Sequence, residues 1–278
     1  EVTLPPISLF QRDLKTDYSV QTVNAVNIYF NYAINISTPE EVINKIKERA
    51  MAAFEKTISK LNVEYGKFCK LSGIPYSDLP WKAQVLTFDE LYKRVKMDIG
   101  DQIDEKISSL AEKLIDNDID EREFSLRIVQ EVHRHCADKN PMIVVYFAPP
   151  YYPHMYLQGE DAREKRLLSA VKEVVDEACK YFDYNVVIKK FYPYISDLSY
   201  CSISSDTKAI EDLVNNMPAW PAKYSLPVEA IQRISMPVVN IGPYGKDAHK
   251  LTERVSLTYS FDAMPFILEK TIEKLLRL

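Results

Sequence analysis

At Ser37-Thr38-Pro39-Glu40-Glu41 the chain spells the start of a helix. Thr38 can cap the first free amide, Pro39 sits where its missing N–H costs nothing, and two acidic residues meet the positive end of the helix dipole. From there to about Leu61, the residues Val42, Ile46, Ala50, Ala53, Phe54 and Ile58 recur at spacings of three and four, which gives the helix one apolar face. A helix of that length must lie on another layer to bury its face, so the segments around it decide the architecture.

Those segments supply the layer. The first fifteen residues contain prolines and read as irregular, and the β-branched and aromatic run VNIYFNYAINI then reads as a strand over Ala25 to Ile36. Three further helices are expected near 88–99, 103–115 and 121–135, with Asp116-Asn117-Asp118 breaking the last two. Pro141 precedes a buried strand, MIVVYFA, which PPYYP ends. The second half reads as a helix over 162–182, apolar strands at 185–192 and 236–241, and a terminal helix from about Phe261 or Pro265. Helices alternating with apolar strands point to an α/β fold, but two strands are too few for an open sheet covered on both faces.

Composition bounds the function classes. In 278 residues, 46% hydrophobic and 27% charged residues allow a sizeable core. No apolar run approaches the ~20 residues that cross a bilayer, and the opening EVTLPPISLF does not read as a signal peptide, so no membrane partner and a cytoplasmic location are expected. A net charge of −5 without a Lys/Arg block argues against nucleic acid as a partner. Four scattered cysteines, Cys69, Cys136, Cys179 and Cys201, lack CxxC spacing and read as reduced thiols. No glycine-rich phosphate loop is present.

Of four histidines, His133 and His135 stand at i and i+2 near a helix end, on different faces, and read as a complement to the helix dipole. His154 lies in an aromatic turn, where loop packing is the simpler role. His249 follows an apolar run and two glycines, in Val238-Val-Asn-Ile-Gly-Pro-Tyr-Gly-Lys-Asp-Ala-His249, with Asp247 and Glu253 on either side. Loops at strand ends are where ligands gather in α/β sheets, and Asp247 or Glu253 is placed to support an imidazole that binds metal from its other nitrogen. By composition alone, a lone loop histidine is more often merely solvated. Asp197, in Phe191-Tyr-Pro-Tyr-Ile-Ser-Asp197, follows another expected strand; it either faces the same cleft or caps the next element.

The order Ser-Asp turn, then Pro-Val-Val-x-x-Gly-Pro-x-Gly-x-x-Ala-His-x-x-x-Glu, resembles the end of the co-catalytic zinc metallopeptidases that include aminoacylase, acetylornithine deacetylase and carboxypeptidase G. The opening PPISLFQRDL and the segment FAPPYYP resemble the branch of that family linked to arginine utilisation. The resemblance implies an α/β catalytic domain interrupted by an αβ lid that dimerises. Residues 1–17 would then end a catalytic segment or form a linker, 18–157 would be the lid, and 158–278 the returning part of the catalytic domain. It further implies zinc as cofactor, His249 as the last metal ligand, Asp197 beside the site, and a substrate that is an N-acyl amino acid or small peptide cleaved at its amide bond. The family's other ligands precede the lid, and nothing in this chain matches them; Thr252 stands where many relatives carry Asn. This chain is therefore expected to be the C-terminal half and inactive alone, since catalytic zinc takes three protein ligands and a water. A homodimer through the strand at 25–36, with Tyr29 and Tyr32 near the contact, is expected as well. The rival expectation is a non-catalytic interaction protein whose lid dimerises.

Overall fold

The computed structural model describes residues 5–15, 20–153, 155–192 and 197–277. It is a mixed helix-and-strand structure. Strand β1 (Ile7–Asp13) pairs antiparallel with β2 (Val26–Asn31), and a register shift falls between Ser8 and Phe10. This corrects the reading of the first fifteen residues as irregular: PPISLFQRD has no clean alternation of its own, and its strand forms because β2 offers a partner. The hairpin turns Asn27, Phe10, Tyr29 and Arg12 toward the rest of the protein. Tyr146 donates to Asn27 Oδ1 at 3.3 Å, Phe10 and Tyr29 stack at 4.9 Å, and Arg12 pairs with Glu123.

Helix α1 (Pro39–Ser72) starts where the sequence places it, with a full capping box: Thr38 Oγ1 accepts from the Glu41 N–H, and Glu41 accepts from the Thr38 N–H. It runs for 34 residues, eleven past the expected end near Leu61, and ends at Gly73 in the left-handed region. Strand β3 (Val85–Thr87), which no alternation announced, follows and pairs in parallel with β4 (Ile143–Val145), inside the expected strand MIVVYFA.

Between β3 and β4 lies a helical bundle of α2 (Phe88–Ile99), α3 (Gln102–Asp116) and α4 (Glu121–His135), within a few residues of the expected bounds. Its core joins Leu91, Val95, Ile103, Phe124, Ile128 and Val132, all essentially inaccessible, with Cys136 and Ala219. The last of these arrives from the second half of the chain. The segment around 216–224 returns to this core, where Asn216 accepts from the Asp89 N–H at 3.1 Å and Tyr224 bonds Tyr151 through both backbone groups.

A second core forms between α5 (Ala162–Phe182) and α8 (Met264–Leu276), through Leu167, Val171, Val174, Val175 and Ile267. Here the expected strands at 185–192 and 236–241 are corrected. Among the described residues they make no sheet ladder apart from a single bridge from Tyr156 to Phe191; Val186, Ile188, Val239 and Ile241 pack on the second core instead. Their apolar pattern reflects burial, which periodicity alone cannot separate from strand pairing. A 3-10 turn (Asp197–Cys201), α6 (Thr207–Asn215), α7 (Val228–Ile234), a two-residue hairpin of β5 (Gly245–Lys246) with β6 (Arg254–Val255), and a π-turn (Tyr259–Ala263) complete the chain.

Asp120 gives the bundle a pH dependence. It caps α4 through the N–H groups of Arg122 at 2.9 Å and Glu123 at 3.4 Å, and its carboxylate also holds the Arg122 side chain at 2.9 and 3.0 Å. The Arg122 guanidinium pulls its pKa down to about 2. A carboxyl depressed in the folded state stabilises above its unfolded pKa of about 3.9, and that stability is lost as pH falls toward 2. Asp120→Asn keeps a capping oxygen and removes only the charge. It is expected to cost less than about 1 kcal/mol at pH 7, because the pair is half-exposed. The gap from the parent should close between pH ~4 and ~2 in urea titrations; a gap constant with pH would refute the assignment.

Candidate functional site

His249 lies in the seven-residue loop 247–253 that β5 and β6 clasp. Its side chain is on an exposed residue, and its backbone is left-handed, at φ 64°; Asp247 is left-handed too, at φ 59°. Such conformations cost roughly 1 kcal/mol or more each outside glycine, so the loop is held by specific bonds. Asp247 accepts from the Thr252 hydroxyl at 3.1 Å and pairs with Arg254, whose guanidinium also reaches the Thr252 carbonyl at 3.1 Å. The Lys250 N–H donates to the Asp247 carbonyl and the Glu253 N–H to the Lys250 carbonyl, both at 3.0 Å. Glu253 accepts from the backbone N–H of His249 at 3.2 Å. Thus the two flanking carboxylates shape the loop backbone, and the bonds they make are to Arg254, Thr252 and a main-chain amide.

Below the loop the clasp is tight. A Cβ on Gly245 would lie 2.7 Å from the Arg254 carbonyl oxygen, so only glycine lets β6 approach this closely. The Ser256 N–H donates to the Tyr244 carbonyl at 2.9 Å, Tyr244 packs edge-on to Tyr259 at 6.3 Å, and Tyr184 packs on the same Tyr259 ring at 5.4 Å. The π-turn presents Tyr259 to both rings. Sequence reading missed Arg254, Thr252 and Tyr259 as the residues that set this loop. The signal available was the seven-residue spacing of Asp247 and Arg254 just after Gly242 and Gly245, which carries meaning only once the hairpin is known.

Asp197 opens the 3-10 turn as an exposed carboxylate, and its charge contributes to raising the pKa of Tyr200, chiefly a burial effect. Among the described residues no hydrogen bond or ion pair joins it to the His249 loop. Ser196, like His154, lies outside the described residues. His135 Nε2 meets Glu131 at 3.0 Å one turn earlier on α4, while burial pushes the His133 pKa down. All four cysteines are free, Cys69 and Cys136 being buried. Among the described residues no three His, Cys, Asp or Glu side chains converge into a metal-binding group, and no helix is long and apolar enough to cross a membrane. The described residues thus do not bring together the three ligands of a catalytic zinc, and no reaction step through zinc is derived from them.

No family model and no solved structure matches this sequence. Two curated proteins of Bacillus subtilis (strain 168) do. One, an uncharacterized protein YqjN, is 32% identical over 279 residues, which are 100% of this chain and 49% of that protein. The other is protein RocB, 30% identical over 280 residues, again 100% of this chain and 48% of the relative. The chain spans about half the length of the curated relatives it matches. Over its whole length, then, this sequence is similar to about half of RocB.

Proposed function

We propose that this chain is part of a metal-dependent hydrolase that cleaves amide bonds in N-acyl amino acids or small peptides in arginine utilisation, and that His249 is its contribution to the metal. The observation that carries the reading is the His249 loop. A histidine in a strained, left-handed position, pinned by Glu253 on its amide and by the Asp247–Arg254 pair beneath, is exposed at the end of a clasp that tolerates only glycine. Strain maintained by so many bonds is found preferentially at functional positions. The remaining ligands and the carboxylate base would come from sequence corresponding to the other half of the relatives. Asp197 would stand beside that site as a supporting carboxylate, and residues 18–157 would form the lid over it. The test is metal content. Joined to the remaining half of a RocB-like protein, the chain should gain stoichiometric zinc and hydrolyse N-acyl amino acids, and by itself it should do neither. Stoichiometric zinc on the separate chain, lost on His249→Ala, would refute the division of ligands.

A second reading, a dimerising interaction protein, has its own observation. The outer face of the β1–β2 hairpin carries Leu9, Val26, Ile28 and Phe30, about half exposed each at 56%, 48%, 45% and 57%. Both readings include a homodimer through this region. Because β1 covers one edge of β2 and Tyr29 faces α4 beneath Arg122, the contact would use this outer face or the remaining edge of β2, not Tyr29. Light scattering should give twice the chain mass at micromolar concentration. Ile28→Asp should return it to a monomer, and a monomeric parent chain would refute the dimer.

A further inference from the structure

Beyond Gly73 the chain doubles back along α1 and leaves a groove between the two. The doubling is anchored at successive points: the Ile74 N–H bonds the Cys69 carbonyl at 3.0 Å, the Tyr76 ring lies 3.6 Å from where a Gly66 Cβ would stand, and the Leu79 N–H bonds Asn62 Oδ1 at 2.9 Å. Each anchor is nearer the start of α1 than the one before, so Trp81 and Lys82 come beside Ile58 and Glu55. The open hollow between them is about 820 Å³, and Glu55, Ile58, Asn62, Tyr76, Trp81 and Lys82 line it.

Its lining is divided. Ile58, Val63 and Trp81 give it an apolar floor, with Trp81 39% and Val63 55% exposed. Two carboxylates and one ammonium line it: Asp78 accepts from the Tyr76 hydroxyl at 2.5 Å, while Glu55 and Lys82 make no ion pair among the described residues. Elsewhere on this helical half, opposite charges in reach do pair: Lys47 holds Glu90 at 2.6 Å and Lys67 holds Glu64 at 2.8 Å. Two unpaired charges of opposite sign beside an apolar floor match a ligand that has an ammonium, a carboxylate and an apolar group on neighbouring atoms.

We infer that this groove binds an apolar α-amino acid as its zwitterion, with Glu55 taking the ammonium, Lys82 the carboxylate, and Trp81 with Ile58 the side chain. The site lies on the helical half, away from the His249 loop, and does not depend on the hydrolase reading. Calorimetric titration of the chain with L-leucine tests it. The expected result is saturable one-to-one binding, weakened at least about tenfold for N-acetyl-L-leucine, which lacks the ammonium, and for L-leucinamide, which lacks the carboxylate. Glu55→Gln should weaken leucine at least about tenfold but leave N-acetyl-L-leucine unchanged, and Lys82→Met should do the same for leucinamide. All the substituted positions are exposed, so the fold is retained, as circular dichroism will check. No saturable heat with leucine up to its solubility, equal affinity for the blocked analogues, or variants that bind like the parent would each overturn the inference.

Discussion

Replacing His249 with alanine in the protein completed to the length of its relatives is expected to remove stoichiometric zinc and lower amide hydrolysis by more than about 100-fold. That threshold is chosen because losing an outer partner of a metal ligand costs only ~10–100-fold, so a larger loss marks a direct ligand. The left-handed backbone at φ 64° offers a control. His249→Gly relieves the strain that alanine keeps, by roughly 1 kcal/mol, and should leave the loop at least as well ordered as the parent. If His249 binds metal, both variants lose zinc equally. If its role is only to shape the loop, glycine should restore what alanine loses. Metal analysis and N-acyl amino acid hydrolysis on the two variants separate the cases.

Phe124→Ala is expected to destabilise the first core by about 3–5 kcal/mol, the usual cost of emptying a large buried aromatic site. Phe124 is 0% exposed and packs with Leu91, Val95, Ile103 and Val132, which arrive from three helices, so no single neighbour can move to fill the space. Against a typical total of 5–15 kcal/mol, this removes a large share of the stability. The drop should appear in urea titrations as a lower midpoint with unchanged slope. A loss below about 1 kcal/mol would mean that the bundle is looser than the burial of these residues implies.

How much of this was legible beforehand depended on whether the signal was local. Thr38, Thr87 and Asp120 all cap helices with side-chain oxygens, and the helices they start begin within a few residues of the periodic pattern, because caps and faces are written within one or two turns. Pairing is a long-range matter. The segment Ile7–Asp13 became a strand because β2 was available, and Val239 and Ile241 did not because no ladder partner reached them. The His249 loop divides the same way. Its histidine and its glycines stand out in one line of sequence, but the role of Arg254 in holding Asp247 exists only across the hairpin, and that of Tyr259 depends on a π-turn that no residue pattern announced.

The return of Ala219 and its neighbours to the first core has a consequence for how the chain is made. The bundle α2–α4 is complete in sequence at His135, yet Asn216, Ala219 and Tyr224, which bond or bury its inner surfaces, are translated some 80 residues later, or about 4–16 s at usual elongation rates. During that interval the nascent bundle exposes the apolar surface that Ala219 will cover and the Asp89 amide that Asn216 will take. Such a delay makes the emerging helices a natural client for chaperones at the ribosome. Interrupting synthesis between residues 136 and 215 should therefore leave a product that is helical but open, while a stop soon after Tyr224, once clear of the exit tunnel, should leave a closed first core.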